Sequence, residues 1–181
     1  LWVGSPLRVH RRCDNPMFNI VNKIAYDELM VFGTPVRVAL GLPDACWFNV
    51  PSLNAEGHFI PGEGKQLQAL LDTIIQHGFD PQNIFVISPF KQVIHELYKY
   101  QTFYPSLNIG TIHTTQGKEA DIVILVLGGD PKRSGAKKWA SEFPNLLNVA
   151  VSRAKRRLYV IGDRSLWKNF NYFDTMAHNM D

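Results

Sequence analysis

The chain is poor in several of the things that would decide its class at once. Only Cys13 and Cys46 are cysteines, without C-x-x-C spacing, which excludes a disulfide framework or a thiolate zinc site and leaves two reduced thiols. The six histidines are scattered with no metal-ligand spacing. No apolar run approaches the ~20 residues of a membrane span, and no signal-peptide pattern opens the sequence; a cytoplasmic protein with no membrane partner is expected. Repeats and low-complexity tracts are absent. Charged residues make up 19% against 45% hydrophobic, a globular balance in a length suited to one domain. A phosphate loop, G-x-x-x-x-G-K-[ST], is also missing. The nearest imitation, GEGKQ at Gly62–Gln66, has Phe59 where the first glycine belongs and Gln66 where a magnesium-binding hydroxyl belongs.

What is present alternates between two periods. Phe18, Val21, Ala25 and Leu29 recur at helical spacing behind Asp14, Asn15 and Pro16, so a helix is expected over 16–29. A strand is expected at 46–50, and a helix over 66–77 carries Leu67, Leu70, Leu71, Ile74 and Ile75 on one stripe before Gly78. Strand 84–88, helix 91–101, strand 108–112, strand 122–127, helix 145–155 and strand 158–161 follow. Residues 128–141 read as an exposed insertion. This alternation predicts an α/β fold with a parallel sheet covered on both faces and ligands beyond the strand C-terminal ends. The net charge is only +3, but PKRSGAKK (131–138) and RAKRR (153–157) concentrate basic residues in a way that suits phosphate backbones.

Two segments carry chemistry. GTIHTTQGKEADIVIL (110–125) and NLLNVAVSRAKRRLYVIGD (145–163) each set polar residues beside a β-branched run of the buried-strand type. Glycine, carboxamide, carboxylate and guanidinium groups are what a nucleotide pocket needs, and an arginine beside a triphosphate can neutralise charge developing in a transition state. These segments resemble motifs V and VI of superfamily 1 helicases, in the 5′-to-3′ branch that includes the nonsense-mediated-decay and DNA-replication types. LRVHRRC (7–13) resembles the segment opening the second motor domain, and IFVISPF (84–90) resembles motif IV. The four pieces occur in the family's order and span nearly the whole chain.

The resemblance implies a RecA-like fold of the P-loop NTPase type without its own P-loop. It implies the second motor domain of a longer ATP-dependent helicase, inactive by itself. Residues 1–33 would be an entry segment, 34–168 the core and 169–181 a tail. ATP with Mg²⁺ would bind between this domain and the first RecA-like domain of the same polypeptide, which would supply every metal ligand. Arg153 and Arg12 would be the catalytic phosphate contacts, Glu119 the ribose acceptor, and Gln116 and Gly117 the nucleotide-site turn. Arg11 stands where the decay helicases stack an aromatic residue on adenine. Ser88, Pro89, His113, Thr114 and Thr115 would touch single-stranded nucleic acid. The sequence departs from the decay helicases at Leu146, usually arginine, and at Val93, usually glutamine. Those departures leave open a second class, a helicase-like binding or scaffold module that keeps the fold without turnover.

Overall fold

The computed structural model describes residues 8–112, 114 and 119–180. In chain order the elements are β1 (Val9–His10), α1 (Met17–Ala25), β2 (Val31–Phe32), β3 (Ala45–Asn49), α2 (Pro61–Gln76) and β4 (Ile84–Ser88). Then come α3 (Lys91–Leu97), β5 (Asn108–Thr111), β6 (Ala120–Val126), α4 (Ser134–Ala140), α5 (Asn145–Ser152), β7 (Ala154–Gly162), α6 (Arg164–Trp167) and α7 (Phe173–His178). β3 to β7 form one parallel sheet in the order β3-β7-β6-β4-β5, and β1 pairs with β2 in a separate parallel ribbon.

Right-handed crossovers decide where the helices go. The steps β3 to β4 and β4 to β5 run one way across the sheet, placing α2 and α3 on one face. The step β6 to β7 runs back, placing α5 on the other, where α1 packs against it. Covered twice, the central strands must be apolar throughout: all five residues of β4 are buried, as are Ile122 to Val126 of β6. Each buried Ile, Val, Leu or Phe among them contributes about 1.5–3 kcal/mol relative to exposure.

The sequence reading places most of these elements, and the differences have local causes. α2 begins at Pro61, five residues earlier than expected, because proline suits the first helical position. Gly62–Gln66 is therefore helical, with Glu63 and Gly64 buried. α3 stops at Leu97 and tightens into a 3₁₀ turn over Tyr98–Thr102; there the buried Tyr100 hydroxyl donates to the Gly64 carbonyl at 2.7 Å. α5 ends at Ser152 because Ala154 already pairs with Ala120 in the sheet. The stretch expected as an exposed insertion contains α4, whose Lys137 and Ala140 are buried. Beyond α6, Phe173, Met176 and Met180 are buried in the core, so the described residues after α6 pack as part of the fold.

Candidate functional site

The predicted residues divide between the two ends of the sheet. At the N-terminal ends of β6 and β7 three separate segments converge. Arg12 lies in the bend between β1 and α1, Glu119 immediately precedes β6, and Arg153 closes α5. Backbone bonds hold the segments together: Ala120 N–H donates to the Arg153 carbonyl at 3.1 Å, and Asp14 N–H to the Lys155 carbonyl at 2.8 Å. Arg37 ties the entry segment from below, donating to the carbonyls of Lys155 and Arg12 and lying 3.6 Å from the Asp14 carboxylate. Arg12 Nε stands 3.0 Å from Glu119 Oε2, both side chains about half exposed. Asp121 pairs with Lys155 at 3.3 Å. Arg11 is exposed.

Arg153 does not reach out into solvent. It is only 5% exposed, because α5 ends at the preceding residue and the chain turns directly into β7. Its side chain helps wall a cavity of about 350 Å³ with Ile112, Trp139, Phe143, Asn145, Leu146 and Val149. Burial, and then the Arg12 charge, pull its pKa below the ordinary arginine value. A guanidinium in that position has a standing electrostatic reason to accept an anion beside it. These three groups lie at strand N-terminal ends, opposite the ends where the alternating pattern alone would look for ligands. Because β5 and β6 run parallel, Glu119 at the start of β6 lies at the opposite end of the sheet from Thr111 at the end of β5.

The C-terminal ends of β4 and β5 hold the other group. Ser88 is fully buried, and its Oγ accepts the Phe90 N–H at 3.2 Å, so it closes a turn rather than offering a surface donor. Pro89 is buried too, but lines a second cavity of about 670 Å³ with His58, Phe90, Lys91, Gln92, Thr111, Thr114 and Trp139. Thr114 is exposed there, its Oγ donating to the Thr111 carbonyl at 3.0 Å. His113, Thr115, Gln116 and Gly117 lie outside the described residues. His58 carried no signal in the sequence, yet the fold fastens it firmly. Its backbone N–H donates to Gln92 Oε1 at 3.0 Å, its carbonyl accepts the Gly129 N–H at 2.8 Å, and its ring stacks on Phe90 at 4.4 Å and 13°. Gln92 also donates to the Glu56 carbonyl, while Val93 is buried.

Behind this cavity sits Glu63, fully buried in the first turn of α2. Its Oε2 accepts the Gly128 N–H at 2.8 Å, while Oε1 has no hydrogen-bond partner among the described residues. Burial pushes its pKa up to about 8, the Gly128 hydrogen bond opposes the rise, and Asp163 adds to it. Gly128 (φ +59°) admits this arrangement because a Cβ would stand 2.5 Å from the His58 carbonyl oxygen and 2.6 Å from Val93. Its own carbonyl accepts the Trp167 indole N–H at 3.1 Å.

The basic clusters are less available than their composition suggests. Lys137 is buried and donates to the carbonyls of Asp130 and Arg133, leaving Lys132, Arg133 and Lys138 on the surface. In the second cluster Arg157 pairs with Asp44 at 2.8 Å and Arg156 donates to the Val38 carbonyl. These side chains fasten β7 to the segment before β3. Cys13 is likewise structural, its buried thiol pushed up to about 12 by desolvation. Among the described residues no group of three or more His, Cys, Asp or Glu could hold a metal ion. Among them, too, no helix is long and apolar enough to cross a membrane.

A five-stranded parallel sheet with helices on both faces and no phosphate loop of its own defines a RecA-like domain of the second kind. A profile of the AAA domain family (AAA_12) matches residues 47–165, well over half the chain, and the chain belongs to that family. Several of its relatives are named helicases, and the chain is a C-terminal RecA-like domain of superfamily 1 type. It is 25% identical over 162 residues to the ATP-dependent helicase NAM7 of Saccharomyces cerevisiae, covering 81% of this chain and 16% of that protein. It is 27% identical over 118 residues to the DNA-binding protein SMUBP-2 of Mus musculus, covering 65% of this chain and 12% of that protein. It thus spans only a small part of the curated relatives it matches. A solved C-terminal domain of a possible DNA helicase from Lactobacillus plantarum WCFS1 shares the fold, with a TM-score of 0.53 at 13% identity over 84% of this chain and 86% of that one.

Proposed function

We propose that this chain is the second motor domain of an ATP-dependent helicase or translocase that moves on single-stranded nucleic acid. The observation that carries the reading is the meeting of Arg12, Glu119 and Arg153 at one end of the sheet, from three segments far apart in sequence. Two guanidinium groups and a carboxylate fit a nucleoside triphosphate, with the arginines toward phosphate oxygens and the carboxylate toward ribose hydroxyls. Arg12 now pairs with Glu119, so nucleotide entry would exchange that pair for ribose and phosphate contacts. ATP with Mg²⁺ would lie between this domain and a first RecA-like domain that supplies the metal ligands. Residues 1–33 would be the entry segment and 34–168 the RecA-like core, with 169–180 packed into that core rather than trailing from it. Gln116 and Gly117 would complete the nucleotide turn, with Arg11 beside the base. His113, Thr114 and Thr115 would touch the strand.

The second class, a scaffold without turnover, is favoured by Arg11, Leu146 and Val93. The deciding experiment is nucleic-acid-stimulated ATPase activity of the intact protein. Arg153→Ala should lower kcat by about 10³-fold or more, with a much smaller change in ATP affinity. Because Arg153 is buried, the variant's thermal melt is measured beside it, and Arg153→Lys serves as the control that keeps charge but loses the planar fork. Full turnover in a folded Arg153→Ala protein would remove the residue from the hydrolytic site, and no turnover in the wild type would favour the scaffold.

A further inference from the structure

We propose that the cavity walled by His58, Phe90 and Trp139 at the C-terminal ends of β4 and β5 receives an unpaired nucleobase of a single strand. The proposal rests on the reading that this domain grips single-stranded nucleic acid, and adds that it grips a base as well as the backbone.

The wall is a pre-built stacking platform. The His58 and Phe90 rings lie nearly parallel at 4.4 Å, and His58 is fixed through its backbone N–H, its carbonyl and its ring, whose Nδ1 lies 3.5 Å from the Asp130 N–H. Two glycines let the loops come close enough to do this. At Gly57 (φ +62°) a Cβ would stand 2.4 Å from the Gln92 carboxamide that holds His58, and at Gly128 it would strike the His58 carbonyl. Burial, then the charges of Arg133 and Lys137, hold the His58 pKa below the ordinary histidine value against the opposing Asp130 charge, which favours the neutral ring. Trp139, 51% exposed, lines the same cavity from α4.

The remaining chemistry selects the occupant. The volume, about 670 Å³, lies within the usual ~300–1,000 Å³ of small-molecule sites. Lys91 and Thr114 stand exposed on its lining, and Lys132, Arg133 and Lys138 are exposed on the segment leading into Trp139. Flat aromatic walls with cations and hydroxyls outside them fit a base whose phosphates stay in solvent. Every base has a π-face, so such a site tolerates any sequence.

The test is fluorescence anisotropy of the 181-residue chain with two labelled single strands of equal length and charge, one normal and one with abasic sites, in DNA and RNA versions. Stacking should make the normal strand bind about 5- to 100-fold tighter. Trp139→Ala should erase most of that preference while leaving the salt slope unchanged, since no charge is removed. Trp139→Phe should restore most of it, and thermal melts of both variants verify folding. Equal binding of normal and abasic strands by the wild type overturns the base site but leaves a backbone grip standing. Binding of neither strand overturns the base site and the single-strand reading together. Loss of affinity for both strands alike in Trp139→Ala makes the residue structural and overturns the assignment. Competition by free adenosine monophosphate as effective as by the strand would overturn it in favour of a free-nucleotide site.

Discussion

The two ends of the sheet are built on opposite principles. At the N-terminal end, Arg12 and Glu119 meet as an exposed ion pair, Arg153 lies beside them, and the positions are set by backbone bonds between segments. At the C-terminal end, buried Glu63, Gly128, Phe90 and Trp167 and half-buried His58 form a chain of contacts in which each group leans on the next. The Arg12–Glu119 charges at the first end are solvated, while Arg153 beside them is buried; the Glu63 charge at the second is suppressed. The contrast separates binding chemistry from stability: an exposed pair contributes little to folding, whereas a buried network without slack costs heavily when one member changes.

The largest effect should come from Gly128→Ala. The new Cβ would meet backbone at 2.5 Å and would also be held at positive φ, so a loss of about 2–4 kcal/mol is expected in a urea melt. A change below about 0.5 kcal/mol would mean that the loop yields and that this end is not the stiff one.

Glu63 sharpens the contrast through pH. Its folded pKa of about 8 lies above the ordinary 4.5, so between those values the folded chain holds a proton that the unfolded chain has released. Stability should therefore fall as pH rises from about 4.5 to about 8 and level off above, by a few kcal/mol in all. Glu63→Gln, which cannot ionise, should flatten that slope while retaining an oxygen for the Gly128 N–H. Identical pH profiles for the two proteins would show that Glu63 does not carry the effect.

The smallest effect belongs to the charged end. Arg12→Ala should change folding stability by under about 1 kcal/mol, because the Glu119 pair is open to water and salt. A loss as large as that of Gly128→Ala would erase the distinction between the two ends.

How much of this could be read in advance follows from how local each signal is. β4 was legible to the residue, since an uninterrupted Ile84–Ser88 run between a turn and a helix start has one reading. The Arg12, Glu119 and Arg153 segments could be picked out by motif, although their convergence on the strand N-terminal ends could not, because the strand order is invisible to a linear pattern. His58 and Glu63 gave no signal: one sits in a turn and the other in a helix start, and both acquire their character from Gly128 and its neighbours. Lys137 looked like one more surface cation until α4 folded it over the Asp130 carbonyl. Periodicity reports what a residue does within its own element. Burial of a charge or the aim of a ring is decided by elements far away.

The packing of α1 against α5 and α7 has a consequence for how the chain is made. Met17, Ile20, Val21 and Ile24 are buried in the finished fold, and Lys23 reaches Asn179 at 3.1 Å. Roughly 150 residues of chain separate Ile24 from Phe173. At about 5–20 residues per second of synthesis, the apolar stripe of α1 would wait roughly 7–30 seconds on the ribosome before α7 exists to help cover it. During that interval the nascent chain carries a bare amphipathic helix of the kind chaperones hold, and the closing contacts, which join the two ends of the described chain, belong among the last to form.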